Sequence, residues 1–143
     1  MGAVVDTTVF IAWERDSQAP PARPTDLIGQ RLRNTLGPDE EVAMAAITAS
    51  ELLHGVHRAN AKNRARREAF VESMLAAIPV VEFDLLAARA HARLWADLAR
   101  AGSDVGPHDR IVAATAISLG WRVATANLRH FGRVPGLDVI EMR

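Results

Sequence analysis

Three carboxylates stand where apolar runs give way to helix-forming segments. Asp6 directly follows Ala3-Val4-Val5. Glu51 lies a turn into the segment after residues 42–47, and Asp109 follows Pro107 at the start of another. Thr125 and Asn127 come just after a further short run, residues 122–124. Carboxylates gathered into one cleft repel one another and do not all stay ionised unless a cation joins them. With no Cys or His among them the donors are hard oxygens, which favour Mg2+ or Mn2+ over Zn2+. An ion held by few carboxylates keeps open positions for a phosphate, so phosphodiester hydrolysis is the reaction that best uses such a cleft.

Each acid also has a structural reading. Asp6 fits a helix N-cap or turn residue. Thr48-Ala49-Ser50-Glu51 fits a capping box, in which Glu51 returns to the Thr48 amide. Asp109 in a first helical turn complements the helix dipole. Thr7 and Thr8 can cap a helix or hydrogen-bond a carboxylate or metal water. His108 reads as a surface residue, and His54, His57 and His91 as structural, since no ligand spacing links them.

The elements that must position these groups alternate between strand and helix. Short apolar runs at 3–5, 42–47, 80–83, 122–124 and 139–141 read as strands. Helices are expected from Thr7 through Trp13, over 25–36, after Thr48, over 60–78, from the Asp84 cap to Arg100 before Gly102, and over 107–119 before Gly120. The proline-rich stretch 18–24 reads as a loop. This order implies an α/β fold: a parallel sheet of about four to five strands with helices on both faces. Ligands in such folds bind beyond the carboxyl ends of the strands, where Asp6, Glu51, Asp109 and Asn127 fall if the first, second and fourth strands are adjacent. The segment 84–100 carries two apolar stripes, one through Ala87, Ala90, Leu94 and Leu98 and one through Ala88, Ala92, Trp95 and Ala99. Burial in the core is expected for most of it, with a subunit contact as the alternative.

Length and composition bound the rest. A chain of 143 residues suits one domain, residues 1–143. The absence of Cys rules out a disulfide scaffold, a thiolate zinc site and a catalytic thiol. Seventeen basic and 17 acidic residues cancel, so any case for nucleic acid rests on where charges sit. Lys62, Arg64, Arg66 and Arg67 cluster on one helix start, while Arg129 and Arg133 lie nearer the expected cleft. The first apolar stretch stops at Asp6 without a basic lead-in, and no run approaches membrane-spanning length, so a cytoplasmic protein with no membrane association is expected.

The residues also resemble a known family. Val4-Val5-Asp6-Thr7-Thr8-Val9-Phe10-Ile11-Ala12 is similar to the opening of a PIN domain. Ile47-Thr48-Ala49-Ser50-Glu51-Leu52-Leu53-His54-Gly55-Val56 resembles its second block. Val105-Gly106-Pro107-His108-Asp109-Arg110-Ile111-Val112 resembles the block around the third acid in VapC toxins, and it is the most specific match. Ala124-Thr125-Ala126-Asn127-Leu128-Arg129-His130-Phe131 resembles the closing block. The blocks occur in family order, and the weakest stretch is 14–46.

The resemblance implies a PIN-like fold and a Mg2+-dependent endoribonuclease that is the toxin of a toxin–antitoxin pair. Asp6, Glu51 and Asp109 would be catalytic and metal-binding, with Mn2+ a substitute, and metal-activated water would attack phosphorus. Asn127 falls where many relatives carry a fourth acid and is a further cleft position. Arg129 and Arg133 are candidate RNA-backbone contacts. Asp104 precedes the matching block and is not assigned to the metal. A VapB-like antitoxin, an RNA substrate and a homodimer are the implied partners, with Phe10, Trp13 and Trp95 as candidate contact residues. Two rivals stay open. One is another Mg2+-dependent phosphoesterase on an α/β sheet, such as a haloacid-dehalogenase-like phosphatase, which needs a second Asp where Thr8 stands. The other is a non-catalytic PIN-like interaction module that uses its acids as caps.

Overall fold

A computed structural model describes residues 1–16 and 24–142, with the backbone alone given for Asp16 and residues 24–28. The proline-rich stretch, apart from Pro24, lies outside the described residues. Among the described residues there are five strands: β1 (Gly2–Val5), β2 (Glu41–Ala45), β3 (Val80–Val81), β4 (Arg122–Thr125) and β5 (Val139–Glu141). Six helices join them: α1 (Thr7–Asp16), α2 (Pro24–Leu36), α3 (Ala46–Arg58), α4 (Ala61–Ala77), α5 (Leu85–Ala101) and α6 (Pro107–Leu119). A single 3-10 turn, Leu128–His130, follows β4.

The strands lie side by side in the order β3-β2-β1-β4-β5, and every pairing is parallel. From β1 the chain crosses outward to β2 and β3, then returns to β4 on the other side of β1. The strand order therefore reverses between β1 and β4, which opens a crevice beyond their carboxyl ends. In register, Val5 pairs with Ala124, so Asp6 and Thr125 leave the sheet together.

Alternation along the strands divides the core. Ala3 and Val5 face Phe10, Trp13, Leu52, Val56, Val71 and Met74, so α1 to α4 cover one side. Val4, Ala45 and Val123 face Leu94, Leu98, Val112 and Ala116, so α5 and α6 cover the other. Both faces of the sheet are buried, which is why its strands read as continuous apolar runs.

Local signals set most helix ends. The Asp84 carboxylate accepts from Ala87 N over 2.9 Å and starts α5. Gly102 ends it in the left-handed region, at φ 64°, where a side chain is unfavourable. The expected start of α3 at Thr48 is displaced. Chain from β2 passes straight into the helix at Ala46, with Ala45 as an N-cap that has no side-chain bond. Thr48 is fully buried inside the helix and caps nothing. Phe10 and Trp13, expected as partner contacts, are core residues that pack edge to face. On α5 the two stripes separate: Ala87, Leu94 and Leu98 are buried, whereas Trp95 is 54% exposed, beside exposed Leu85, Leu86 and Phe83. Burial of most of this helix therefore holds for one stripe only, because α6 covers one side of it.

Candidate active site

Asp6 is delivered to the crevice by the sheet itself. Its backbone N–H donates to Ala124 O over 2.8 Å, extending the β1–β4 ladder by one residue. The side chain is buried, at 3% exposure. Its Oδ2 accepts from Thr8 Oγ1 at 2.6 Å and from Thr125 Oγ1 at 3.0 Å. Those hydroxyls in turn accept from the β4 exit: Thr8 Oγ1 from Ala126 N at 3.1 Å, and Thr125 Oγ1 from Asn127 N at 3.0 Å. Each hydroxyl thus receives a backbone proton and directs its own at the carboxylate. A long contact from Thr8 N to Oδ2, 3.4 Å, is all that remains of the helix-capping reading. No hydrogen bond among the described residues falls on Asp6 Oδ1.

Glu51 does not return to the Thr48 amide. Its Oε1 accepts from Thr7 Oγ1 over 3.0 Å, so the capping-box reading is replaced by a link between α3 and α1. Its Oε2 lies 3.6 Å from His108 Nδ1 on α6. The structural alternative fails because β2 feeds α3 without an intervening turn, which moves Glu51 past the first turn.

Asp109 occupies the first turn of α6, after Pro107. Burial pushes its carboxyl above the ordinary value, and the nearby Asp6 and Glu51 carboxylates push the same way. His130 and His108 pull in the opposite direction. Asp109 Oδ2 lies 3.5 Å from His130 Nδ1. The first, second and fourth strands are adjacent, and Asp6 and Glu51 both act on Asp109 across the edge they share.

Asn127 stands at the rim. Its Oδ1 accepts from Arg129 N at 3.1 Å, and its Nδ2 lies 3.1 Å from His130 Nε2. Arg129 and Arg133 are exposed nearby in sequence. Asp104 is exposed on the loop between α5 and α6 and makes no side-chain hydrogen bond among the described residues. Of the basic helix start, Lys62, Arg64 and Arg66 are exposed, while Arg67 pairs with Glu14 over 3.0 Å. His54 and His57 are exposed. His91 lies between Phe83 and Trp95, and burial, helped by Arg110, lowers its pKa.

Sequence reasoning left His130 without a role and read His108 as plain surface. Both are exposed, but each turns Nδ1 toward one of the acids. No local pattern announces this, since the pairing depends on how α6 meets α3 and how the 3-10 turn meets α6.

Among the described residues, no three acidic or histidine side chains stand close enough to enclose a metal ion by themselves. The donor set nevertheless fits a hard divalent cation that keeps much of its water and takes one or two carboxylates. Burial first, and then repulsion from Asp6 and Glu51, raise the Asp109 carboxyl, and such a cation would offset both.

Comparison with known proteins places this arrangement among relatives. The PIN domain family model matches residues 3–137. Ribonuclease VapC1 of Rickettsia felis is 31% identical over 141 residues, which are 98% of this chain and 96% of that protein. The tRNA(fMet)-specific endonuclease VapC of Salmonella typhimurium is 37% identical over 98 residues, 68% of this chain and 73% of that one. The crystal structure of DNA-bound VapBC from Salmonella typhimurium superposes with a TM-score of 0.80 at 29% identity, covering 99% of this chain and 98% of the matched chain.

Proposed function

The chain belongs to the PIN-domain family, and from that premise we propose that it is a Mg2+-dependent endoribonuclease of the VapC type, the toxin of a toxin–antitoxin pair. One observation carries the reading. Two acids that follow strands, Asp6 after β1 and Glu51 in the helix after β2, share one edge with Asp109 at the start of the helix that leads into β4, and a hydroxyl or imidazole from another element faces an oxygen of each.

Asp6, Asp109 and Glu51 are the groups that would hold the ion, Mg2+ by preference and Mn2+ as a substitute. When bound, such an ion stabilises charge on phosphate oxygens and lowers the pKa of water. The chain's own residues do the positioning. Thr8 and Thr125 fix the plane of the Asp6 carboxylate and leave Oδ1 without a hydrogen-bond partner among the described residues. Thr7 fixes Glu51, which is placed to orient the attacking water. Asp109 stands beside His130, with its Oδ2 3.5 Å from the ring nitrogen Nδ1. The exposed guanidinium groups of Arg129 and Arg133 take backbone phosphates of RNA.

A VapB-like antitoxin restrains this activity. The exposed face of α5 around Leu86 and Trp95 joins two copies of the chain in a homodimer. No helix among the described residues is long and apolar enough to cross a membrane, and we place the pair in the cytoplasm, with residues 1–143 forming one nuclease domain. A haloacid-dehalogenase-like reaction is disfavoured, because Thr8 spends its hydroxyl on Asp6 in the place where a second acid is needed.

The test is cleavage of total RNA by the purified chain. Cleavage with Mg2+ or Mn2+ that stops with EDTA is expected. A folded chain that cuts nothing with either ion contradicts the proposal and favours a non-catalytic module.

A further inference from the structure

Asn127 and His130 form a chain of contacts that ends on Asp109, and the direction of every proton in it is fixed. Arg129 N is a donor and nothing else, so the Asn127 atom 3.1 Å from it is the amide oxygen. The other end of the amide, Nδ2, is then a donor too, and it meets His130 Nε2 at 3.1 Å. His130 Nε2 must accept. In a neutral imidazole the proton therefore sits on Nδ1, the tautomer that a free histidine side chain disfavours. Nδ1 faces Asp109 Oδ2 at 3.5 Å. That is too long for a full hydrogen bond, but a small turn of this exposed ring closes it.

We propose that Asn127 is a positioning residue that acts through His130: it selects the Nδ1–H tautomer, so that His130 presents a donor to Asp109 Oδ2 and leaves the second carboxylate oxygen for a cation. The inference rests on the reading of Asp109 as a metal-binding acid and assigns a role that neither Asn127 nor His130 has as a ligand. Asp6 is served in the same manner by Thr8 and Thr125, so each of the two acids flanking the β1–β4 crevice has one oxygen faced by a donor. An acid at position 127 does the reverse of the amide. A carboxylate accepts from Nε2–H, which leaves Nδ1 as a lone pair directed at Asp109, or a ring charged on both nitrogens.

The experiment is nitrogen–proton correlation NMR of the histidine rings in the metal-free protein, at a pH where the rings are neutral. It is paired with Mn2+ titration of the same samples. The wild type should show His130 protonated on Nδ1. Asn127→Asp should move the proton to Nε2. Mn2+ affinity should fall by about 10- to 100-fold in Asn127→Ala and in His130→Ala, as for other residues that orient a ligand. The double variant Asn127→Ala/His130→Ala should bind no more weakly than His130→Ala alone, because the two act in series. A wild-type ring protonated on Nε2, a tautomer unmoved by Asn127→Asp, or additive losses in the double variant overturns the proposal. Both readouts are taken without RNA, so they stand apart from any failure of the nuclease reading.

Discussion

Thr7 Oγ1 donates to Glu51 Oε1 over 3.0 Å, and this one bond ties the helix after the first strand to the helix after the second. Thr7 is buried, so its hydroxyl has little access to water if the partner is lost. Thr7→Val keeps the shape and removes the donor. It should lower stability by about 0.5–1.5 kcal/mol and cut RNA cleavage about 10-fold or more by freeing Glu51. Thr7→Ser should restore both. Thermal unfolding and a cleavage assay read the two effects separately, and cleavage unchanged in Thr7→Val would remove Thr7 from the site.

Asp6 has a structural and a chemical role that two substitutions can part. Asp6→Asn keeps an oxygen to accept from Thr8 and Thr125, so the metal-free protein should melt no lower than the wild type. Asp6→Ala removes the acceptor that both hydroxyls share and leaves them only longer contacts, Thr8 Oγ1 to Thr125 Oγ1 at 3.2 Å and Thr125 Oγ1 to Asn127 O at 3.3 Å, at a cost of roughly 1–3 kcal/mol in all. Neither variant should gain the rise in melting temperature that Mn2+ gives the wild type by mass action. A large loss of metal-free stability in Asp6→Asn would return Asp6 to a capping role.

Asp109 should give a pH dependence whose sign follows from its burial. Burial first, then Asp6 and Glu51, raise its carboxyl above the ordinary value despite His130 and His108. The folded state therefore takes up this proton before the unfolded state does as pH falls. The ionised group destabilises the metal-free fold at neutral pH. That penalty is relieved between the raised folded value and the ordinary unfolded one. Metal-free Asp109→Asn should be the more stable protein at neutral pH, with its advantage shrinking as pH falls through that window. Denaturant unfolding of both proteins across acid pH measures it, and a gap that widens on acidification would reverse the assigned sign.

Much of the fold was legible because its signals are local. Asp84 and Gly102 bound α5 by cap chemistry alone, and Pro107 and Gly120 do the same for α6. Thr48 misled because the start of α3 is set by the length of β2, which pairing with β1 and β3 decides. Hydrophobic periodicity showed two stripes on α5 but not that only one is buried, the other meeting α6 just where Arg110 lies over the Trp95 ring. Phe10 and Trp13 read as contacts from their size, yet they lie under α1 against the sheet. In the site, the three acids could be named from their junctions. The groups that hold them could not, since Thr125 reaches Asp6 and His130 reaches Asp109 only once β4 lies beside β1.

The exposed stripe of α5 carries its own test. Leu86 and Trp95 are 65% and 54% exposed, so charged substitutions there leave the core intact. Leu86→Lys with Trp95→Glu should turn a dimer into a folded monomer in sedimentation experiments. A wild type that sediments as a monomer, or a dimer that survives both changes, would place the contact elsewhere.

On the proposed function, Asp109 takes part in metal-dependent RNA cleavage and does more than complement a helix dipole. A dipole role is worth roughly 0.3–1 kcal/mol, which leaves catalysis nearly intact, whereas loss of a metal-binding acid removes several kcal/mol of charge stabilisation. The direct measurement is the RNA cleavage rate of Asp109→Asn beside Asp104→Asn, with fold checked by circular dichroism. Asp109→Asn should stay folded and lose about two or more orders of magnitude in rate, while Asp104→Asn should cut like the wild type. Wild-type-like cleavage by folded Asp109→Asn, or wild-type cleavage that survives EDTA, would contradict it.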